Sequence, residues 1–291
     1  TEVYRTLHMA STLTVDRART EQWSSLARHI DPGIPSNRLA IVGTLTAALV
    51  VGLANLFGVD TGLAPFSAAI GVFLSWAIAR ELDPDRPVAA AIAMPASLLL
   101  LILLGPSSLL VSTGVLLGLR MTAGTVGAPL RSLDIAGIVV ISALLGTTPL
   151  GIVGVAVLVA GVLVDEPHVK RSIAIIAAST TGFFAAALIA GVEWTWTVPT
   201  PVGWAALAVG TVAAISVIPA ATPSSPTDRQ SGLIRSERVT AARVAAGVAV
   251  LAGFVLTGEA GIVALAGTAV AALVGTAIRR IDAYRREAPS V

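Results

Sequence analysis

The densest group of chemically active side chains is Arg80-Glu81-Leu82-Asp83-Pro84-Asp85-Arg86-Pro87. Carboxylate oxygens are the ligands that Mg²⁺ and Ca²⁺ prefer, so Glu81, Asp83 and Asp85 are candidate metal ligands. The neighbouring arginines have the geometry to clamp a phosphate. The same residues also suit a plain turn between two helices, because Asp and Pro initiate turns. The sequence favours the turn over the metal site.

A second candidate group is Arg120-Met121-Thr122-Ala123-Gly124-Thr125-Val126-Gly127. Backbone N–H groups of a glycine-spaced stretch can cradle an anion, which makes Arg120 a candidate anion-binding residue. No phosphate-loop lysine follows it. The stretch resembles efflux proteins of the fusaric-acid-resistance type over less than a tenth of the chain, and other features of those proteins are missing from this sequence.

Other carboxylates lie where apolar runs begin or end. Asp134 precedes an apolar run and is expected to be the N-cap of the helix that follows. Asp165, Glu166 and His168 follow another run and have the residue types of a metal site. A loop at a helix boundary is the simpler interpretation of these three residues.

Inside the apolar runs, the polar groups are hydroxyls and one amide. No charged residue falls in the middle of a run, where ion-coupled carriers usually place one. Ser179, Thr180 and Thr181 form the densest group of hydroxyls, and they are the predicted polar path if a solute crosses the protein. Serine and threonine hydroxyls also bond back to their own helix, which would leave such a group inert.

Long apolar elements must position all of these residues. The chain has 291 residues, of which 55% are hydrophobic and 12% charged, whereas a soluble domain carries about a quarter charged residues. Lipid or protein must therefore surround most side chains, which predicts a multi-pass protein of the cell membrane. The absence of cysteine excludes disulfides and thiolate sites. The sequence has no basic stripe with interleaved aromatic residues, so it gives no indication of nucleic-acid binding.

The apolar runs predict an all-α, polytopic membrane helical bundle of about ten transmembrane helices arranged as five hairpins. Recurrence of the hairpins suggests an internal repeat. Several runs are short, so the shorter hairpins either span the membrane or re-enter it. The predicted crossings are 39–57, 63–79, 88–104, 107–119, 135–146, 150–164, 172–191, 202–219, 243–257 and 261–278.

Charge is sorted along the chain in a way that predicts topology. All 19 basic residues fall at the two termini or in the even-numbered turns between crossings. The odd-numbered turns hold only acidic charges, on Asp60, Glu193 and Glu259. Basic residues resist translocation and stay cytoplasmic, so both termini are predicted to lie inside the cell.

The chain then divides into three parts. Residues 1–38 form a cytoplasmic N-terminal segment, with an amphipathic helix predicted at about 14–30 and Trp23 as its anchor. That helix lies either along the membrane interface or on the cytoplasmic ends of the bundle. Residues 39–278 form the transmembrane bundle, and 279–291 form a basic cytoplasmic tail.

Three functions stay open from sequence. The first is a non-enzymatic subunit or scaffold of a membrane complex, without a cofactor, whose partners are membrane lipids, other proteins or further copies of the chain. The lack of charge in mid-membrane and the small soluble mass favour it. The second is a transporter or channel for a neutral or lipidic substrate. The third is a cytoplasmic-face enzyme that acts on lipid phosphates with Mg²⁺ or Ca²⁺ held by Glu81, Asp83 and Asp85, beside Arg120.

Overall fold

The structure is a computed structural model that describes residues 23–27, 30–193, 195–201, 204–205, 208, 223, 225–227 and 233–287. The described part is all-helical, apart from isolated bridges. Most of the predicted crossing at 202–219, most of the predicted helix at 14–30 and the last residues of the tail lie outside it. Its helices are α1 (Pro35–Leu56), α2 (Pro65–Leu82), α3 (Pro87–Leu104), α4 (Leu109–Ala123), α5 (Ser132–Leu145), α6 (Gly151–Asp165), α7 (Val169–Ala190), α8 (Ser236–Thr257), α9 (Glu259–Ala264) and α10 (Ala266–Glu287).

Local sequence explains where these helices begin and end. Proline occupies the first helical position of α1, α2 and α3, where its missing N–H costs no hydrogen bond. The Ser108 hydroxyl caps α4 by accepting from Val111 N–H. Gly124 and Gly191 end α4 and α7 in the left-handed conformation, which glycine adopts at little cost.

Four of the described helices, α1, α3, α7 and α8, are long and apolar enough to cross a membrane. Helices α4, α5 and α6 are apolar but have only 15, 14 and 15 residues, whereas a full span needs about 20. The structure therefore supports the helical, membrane-compatible character of the chain. It does not confirm the predicted number of crossings.

Helix α2 lies at the centre of the bundle, in contact with α1, α3, α4, α8 and α10. Twelve of its residues are buried. The packing partly departs from the predicted hairpins: α1 and α2 do pack together, but α3 packs mainly on α2 and α10, and α4 packs mainly on α6. The predicted arrangement of five hairpins is not confirmed.

Helices α4 and α6 approach each other closely because glycines face the contact. A Cβ atom at Gly118 would overlap the carbonyl oxygen of Val157, and one at Gly161 would lie 2.6 Å from the carbonyl oxygen of Gly118. Small residues allow such contact between helix backbones, as is common in membrane bundles.

The predicted crossing at 261–278 is interrupted, since α9 ends at Ala264 and α10 begins at Ala266. Two buried serines donate to carbonyl groups on either side of the interruption. Ser112 Oγ lies 3.4 Å from the carbonyl oxygen of Ala264, and Ser75 Oγ lies 3.3 Å from that of Gly267. These contacts join α2 and α4 to the interrupted helix.

Candidate functional site

The charged residues of the even-numbered turns meet at one end of the bundle, which we call the basic end. There the last residues of α2, α4, α6 and α10 lie beside the first turns of α8. Glu81 at the end of α2 pairs with Arg120 of α4. Asp83, directly after α2, pairs with Arg243 of α8 and Arg279 of α10.

The Glu81 carboxylate is fully buried and is held by Arg120 and Thr125. Arg120 Nε donates to Oε1 at 2.8 Å, and the Thr125 hydroxyl donates to Oε2. Arg120 Nη1 also donates to the carbonyl oxygen of Leu26 at 2.8 Å. Arg120, the predicted anion-binding residue, therefore contacts groups of the chain itself, and binding of an external anion stays a prediction.

Asp83 is a buried carboxylate that three arginines approach. Arg243 Nη2 lies 2.7 Å from Oδ1, Arg279 Nη1 donates to Oδ2, and Arg86 Nη1 lies 3.9 Å from Oδ1. The carboxylate reaches α10 because Gly275 has no side chain: a Cβ there would overlap Asp83 Oδ2. A buried carboxylate needs such partners, since desolvating an unpaired charge is very costly.

Asp85 lies apart from this pair of buried acids. It is exposed, and its Oδ1 accepts from Ser225 N–H at 2.9 Å and from the Ser225 hydroxyl at 2.5 Å. In the described part of the chain, no three His, Asp or Glu side chains form a group suited to a metal ion. Glu81, Asp83 and Asp85 thus hold different partners, and their predicted role as metal ligands is untested.

Asp134 fastens a segment from the N-terminal region to the basic end. Its carboxylate accepts from Ser24 Oγ at 2.5 Å, from Ser25 N and Oγ at 2.7 Å each, and from Leu26 N at 3.1 Å. We call residues 24–26 the strap. The same carboxylate accepts from Arg131 N–H at 2.8 Å, so Arg131 is the N-cap of α5, and the expectation that Asp134 itself is the N-cap was wrong.

Hydrogen bonding governs the ionisation of Asp134. Burial raises the pKa of its carboxyl, but the hydrogen bonds from Ser24, Ser25 and Arg131 favour the charged form more strongly, and the pKa lies below its ordinary value. The ionised carboxylate is therefore the form that holds the strap.

The strap lies within the range of the predicted N-terminal helix. Leu26 is buried and only 7% exposed, whereas Trp23, the predicted interfacial anchor, is 68% exposed. Residues 24–26 pack on the end of the bundle, but residues 24–27 are not helical, so the predicted helix does not continue through them.

Residues at the end of α6 and just after it also form ion pairs. Arg238 Nη2 of α8 lies 2.8 Å from Asp165 Oδ1. The buried Glu166 carboxylate lies 3.2 Å from Arg171 Nη1 and 3.0 Å from His168 Nδ1. Burial raises the pKa of the Asp165 carboxyl, and this effect outweighs the hydrogen bond and charge of Arg238. These contacts agree with a helix boundary.

The three hydroxyls of the predicted polar path have different surroundings. Ser179 is buried and its Oγ has no hydrogen-bond partner among the described residues. Thr180 Oγ1 bonds back to the carbonyl oxygen of Ile176 at 2.8 Å, and Thr181 is exposed. A continuous path through all three is not tested by these contacts, but only Ser179 is buried in the interior.

Sequence analysis missed Arg243 and Arg279 as buried partners of Asp83. The predicted crossings began at 243 and ended at 278, whereas α8 begins at Ser236 and α10 continues to Glu287. One signal was present: Val239, Ala242 and Ala246 extend the buried stripe of α8 to both sides of Arg243 at helical spacing.

Comparison with protein-family models, with curated proteins and with solved structures gives no match. In the part of the chain that the structure describes, the architecture is all-helical, and four helices are long and apolar enough to span a membrane.

Proposed function

We propose that the chain is a multi-pass protein of the cell membrane with both termini in the cytoplasm. The four long apolar helices support membrane insertion. The gathering of basic residues at one end of the bundle supports the orientation, because positive charges are retained on the cytoplasmic side.

Within that frame, we propose that the protein is a non-enzymatic subunit or scaffold of a membrane complex. One observation carries this proposal: each charged side chain buried in the described residues pairs with another residue of the chain at the basic end, although Glu166 Oε2 and Arg279 Nε have no hydrogen-bond partner there. These residues are Glu81, Asp83, Arg120, Asp134, Glu166, Arg243 and Arg279. Charges bonded in this way stabilise one arrangement of helices, whereas carriers and enzymes keep buried charges for substrate.

The outward faces of the bundle suit lipids or a partner. Helix α1 exposes an apolar row of Val42, Leu45, Leu49, Leu53 and Leu56, spaced three or four residues apart along one face. Helix α7 buries only four of its 22 residues. Both helices therefore offer apolar surface to lipid, to another protein or to a second copy.

Extraction from native membranes tests the proposal. The chain would carry a C-terminal tag, be taken up in lipid nanodiscs with its surrounding membrane, and be weighed by native mass spectrometry. We expect a stoichiometric assembly that contains either a second copy or another defined protein. An unrelated multi-pass protein with the same tag controls for non-specific capture. A monomer accompanied only by lipid overturns the scaffold.

A transporter or channel for a neutral solute is the second candidate. It is favoured by buried hydroxyl oxygens that have no hydrogen-bond partner among the described residues, on Thr44, Ser142, Ser179 and Thr268. Buried polar groups without a protein partner commonly contact water or a ligand.

Flux into liposomes tests this candidate. Small neutral solutes would be assayed with the reconstituted chain, with Ser179→Ala, and with Thr181→Ala as the control, because Thr181 is exposed on the same helix. Transport predicts flux that Ser179→Ala reduces and Thr181→Ala does not. Flux no greater than in empty liposomes for every solute removes the candidate.

A further inference from the structure

The end of α8 opposite the basic end carries a loop, residues 195–201, that is fastened to the junction of α8 and α9. Within this loop, Thr197 bonds to three residues of the junction. Its N–H and its hydroxyl donate to the carbonyl oxygen of Thr257 at 3.2 and 2.8 Å. Its carbonyl oxygen accepts from Glu259 N–H at 3.2 Å, and its hydroxyl oxygen accepts from Ala260 N–H at 3.1 Å. The loop therefore has a fixed position on the end of α8.

Glu259 and Gly258 complete this attachment. The Glu259 carboxylate accepts from Thr200 N–H at 2.6 Å and from the Thr200 hydroxyl at 2.9 Å. Gly258 has a φ of +67°, and a Cβ atom there would overlap the carbonyl oxygen of Thr197. Glycine adopts that backbone conformation at little cost and leaves room for so close an approach. The position of the loop thus depends on the missing side chain at Gly258.

Three aromatic rings meet where the loop lies on α8. The rings of Trp196 and Trp204 pack edge-on against Phe254, with centroids 6.5 and 5.4 Å from its own, an arrangement that aromatic pairs favour. Both tryptophans are half-exposed, at 52% and 50%. Val198 of the same loop and Val255, next to Phe254, are exposed as well. The loop and the end of α8 therefore present an apolar patch to their surroundings.

This patch lies one membrane thickness from the start of α8. Phe254 follows Ser236, the first residue of that helix, by 18 positions, which is about 27 Å along the helix axis. The hydrocarbon core of a bilayer is about 30 Å thick. Helix α8 is long and apolar enough to span it, and its first turns lie at the basic end. The patch is thus at the level where the opposite surface of a membrane would lie.

The face of α8 that leads to the patch is also apolar. Val248 lies two helical turns before Val255 on the same face and is 56% exposed. A lipid-facing helix has such a face, and it ends at tryptophans where the helix reaches the membrane surface. Tryptophan suits that surface because its ring is apolar and its N–H donates a hydrogen bond.

We propose that Trp196, Trp204 and Phe254 form an interfacial anchor, which binds the headgroup and ester region of the lipid leaflet opposite the basic end. This anchor rests on the proposed insertion of the chain in a membrane. The attached loop, residues 195–201, holds the tryptophans at a set depth. The charged side chain bonded to the loop is Glu259, whose negative charge disfavours an anionic ligand there. A bilayer surface, rather than a soluble anion, is the partner that these rings fit.

Fluorine NMR of the full chain in phosphatidylcholine nanodiscs tests the anchor. Fluorotryptophan labels each of the five tryptophans, and single tryptophan-to-phenylalanine variants assign the resonances. Nitroxide lipids carry the spin label either near the headgroup or at the end of the acyl chain. We expect the headgroup label to broaden Trp196 and Trp204 more than the chain-end label does. Leu45→Trp, in the middle of α1 at a position that is 64% exposed, should show the reverse order and so report insertion.

Gly258→Ala tests whether attachment of the loop sets this depth. The added Cβ overlaps the carbonyl oxygen of Thr197, so the preference of Trp196 for the headgroup label should be lost. Gly191→Ala is the matched control, because Gly191 also has a positive φ but a Cβ there meets nothing within 4 Å among the described residues. It should keep the parent pattern. Thr197→Val, which removes only the hydroxyl bonds of the loop, should weaken the preference without a backbone clash.

The outcomes separate this anchor from membrane insertion itself. If Leu45→Trp responds to the chain-end label but Trp196 and Trp204 respond to neither lipid label, the bundle is inserted and the anchor is overturned. A water-soluble gadolinium chelate then shows whether the rings lie in water or under a protein partner. If Leu45→Trp responds to neither label, membrane insertion and the anchor are both overturned. An unchanged pattern in Gly258→Ala also overturns the anchor, because the loop then does not hold the rings.

Discussion

The Asp134 carboxylate accepts hydrogen bonds from both the backbone N–H and the hydroxyl of Ser25, each at 2.7 Å, although the two residues are 109 positions apart in sequence. With Ser24 and Leu26, this contact places the strap over the basic end, where Arg120 also holds the carbonyl oxygen of Leu26. One carboxylate near the start of α5 therefore controls where the N-terminal region meets the bundle.

Removing that carboxylate should release the strap. The chain has no cysteine, so a single Leu26→Cys reports on burial while the backbone contacts of residue 26 are kept. We expect Asp134→Ala to raise the rate of thiol labelling at position 26 at least about tenfold, because hydrogen bonds to a charged group contribute about 1.5–3 kcal/mol each. Trp23→Cys, at a position already 68% exposed, should label equally fast with and without Asp134. Equal rates at position 26 would contradict the strap.

Acid should release the strap in the parent protein. The pKa of Asp134 lies below its ordinary value of 3.8, so its contribution is fully present above that value and is lost as the pH falls through the lower, folded-state pKa. Hydrogen exchange at the N–H groups of Ser25 and Leu26, corrected for intrinsic rates, should accelerate in that acidic range. In Asp134→Asn the acceleration should be absent; an unchanged acid profile in this variant would assign the effect to another group.

The Asp83 cluster should depend on the missing side chain at Gly275. We expect Gly275→Ala to destabilise the protein by about 3 kcal/mol, because the added Cβ overlaps Asp83 Oδ2 and breaking a buried ion pair leaves charge uncompensated. Gly137→Ala is the control, since a Cβ there meets nothing within 4 Å; it should be neutral or stabilise by up to about 1 kcal/mol. Unfolding by SDS in mixed micelles measures both. A fully stable Gly275→Ala would show that Asp83 does not need this approach to α10.

Divalent metal should leave stability unchanged. Asp83 is bonded to arginines and Asp85 to Ser225, so we expect the same thermal unfolding with Mg²⁺, with Ca²⁺ and with chelator. Stabilisation that saturates with metal, and that disappears in Asp85→Asn, would instead establish the predicted metal site.

Single cysteines should also report the orientation. His168→Cys lies at the basic end, where the side chain is 76% exposed, and Asp60→Cys lies in the turn at the other end. In intact cells, an impermeant thiol reagent should label position 60 and spare position 168 until the membrane is opened. The reverse pattern would invert the proposed topology.

The ends of a helix could be predicted where a proline or a glycine bounds its apolar run. The third predicted crossing, 88–104, agrees with Pro87–Leu104 because a proline and a glycine bound the apolar run. The neighbours of each helix were not predictable in the same way. The close contact of Gly118 with Val157 depends on which glycine faces which helix. The presence of a glycine in the sequence does not indicate which helix it will face.

The sequence predicted which types of residue gather at the basic end, but not which of these residues pair with each other. Glu81, Asp83 and Asp85 stood out because they are close together in sequence. Their closeness made them candidate ligands of one metal, although a plain turn was the favoured interpretation, and it gave no sign of their separate partners. Their partners come from other helices, and the guanidinium groups of Arg243 and Arg279 lie within helical turns that extend past the apolar runs. Where a helix continues past its apolar run into buried ion pairs, the fall in hydropathy does not coincide with the end of the helix.

The separation of Asp83 from its partners sets an order of assembly. Arg243 and Arg279 follow it by 160 and 196 residues. At a synthesis rate of 5–20 residues per second, they leave the ribosome roughly 10 to 40 s after Asp83. Until then, Asp83 lacks both of these arginine partners, and a nascent chain cut before α8 would lack them as well. Helices α8 and α10 are thus the elements that complete the ion pairs at the end of α2.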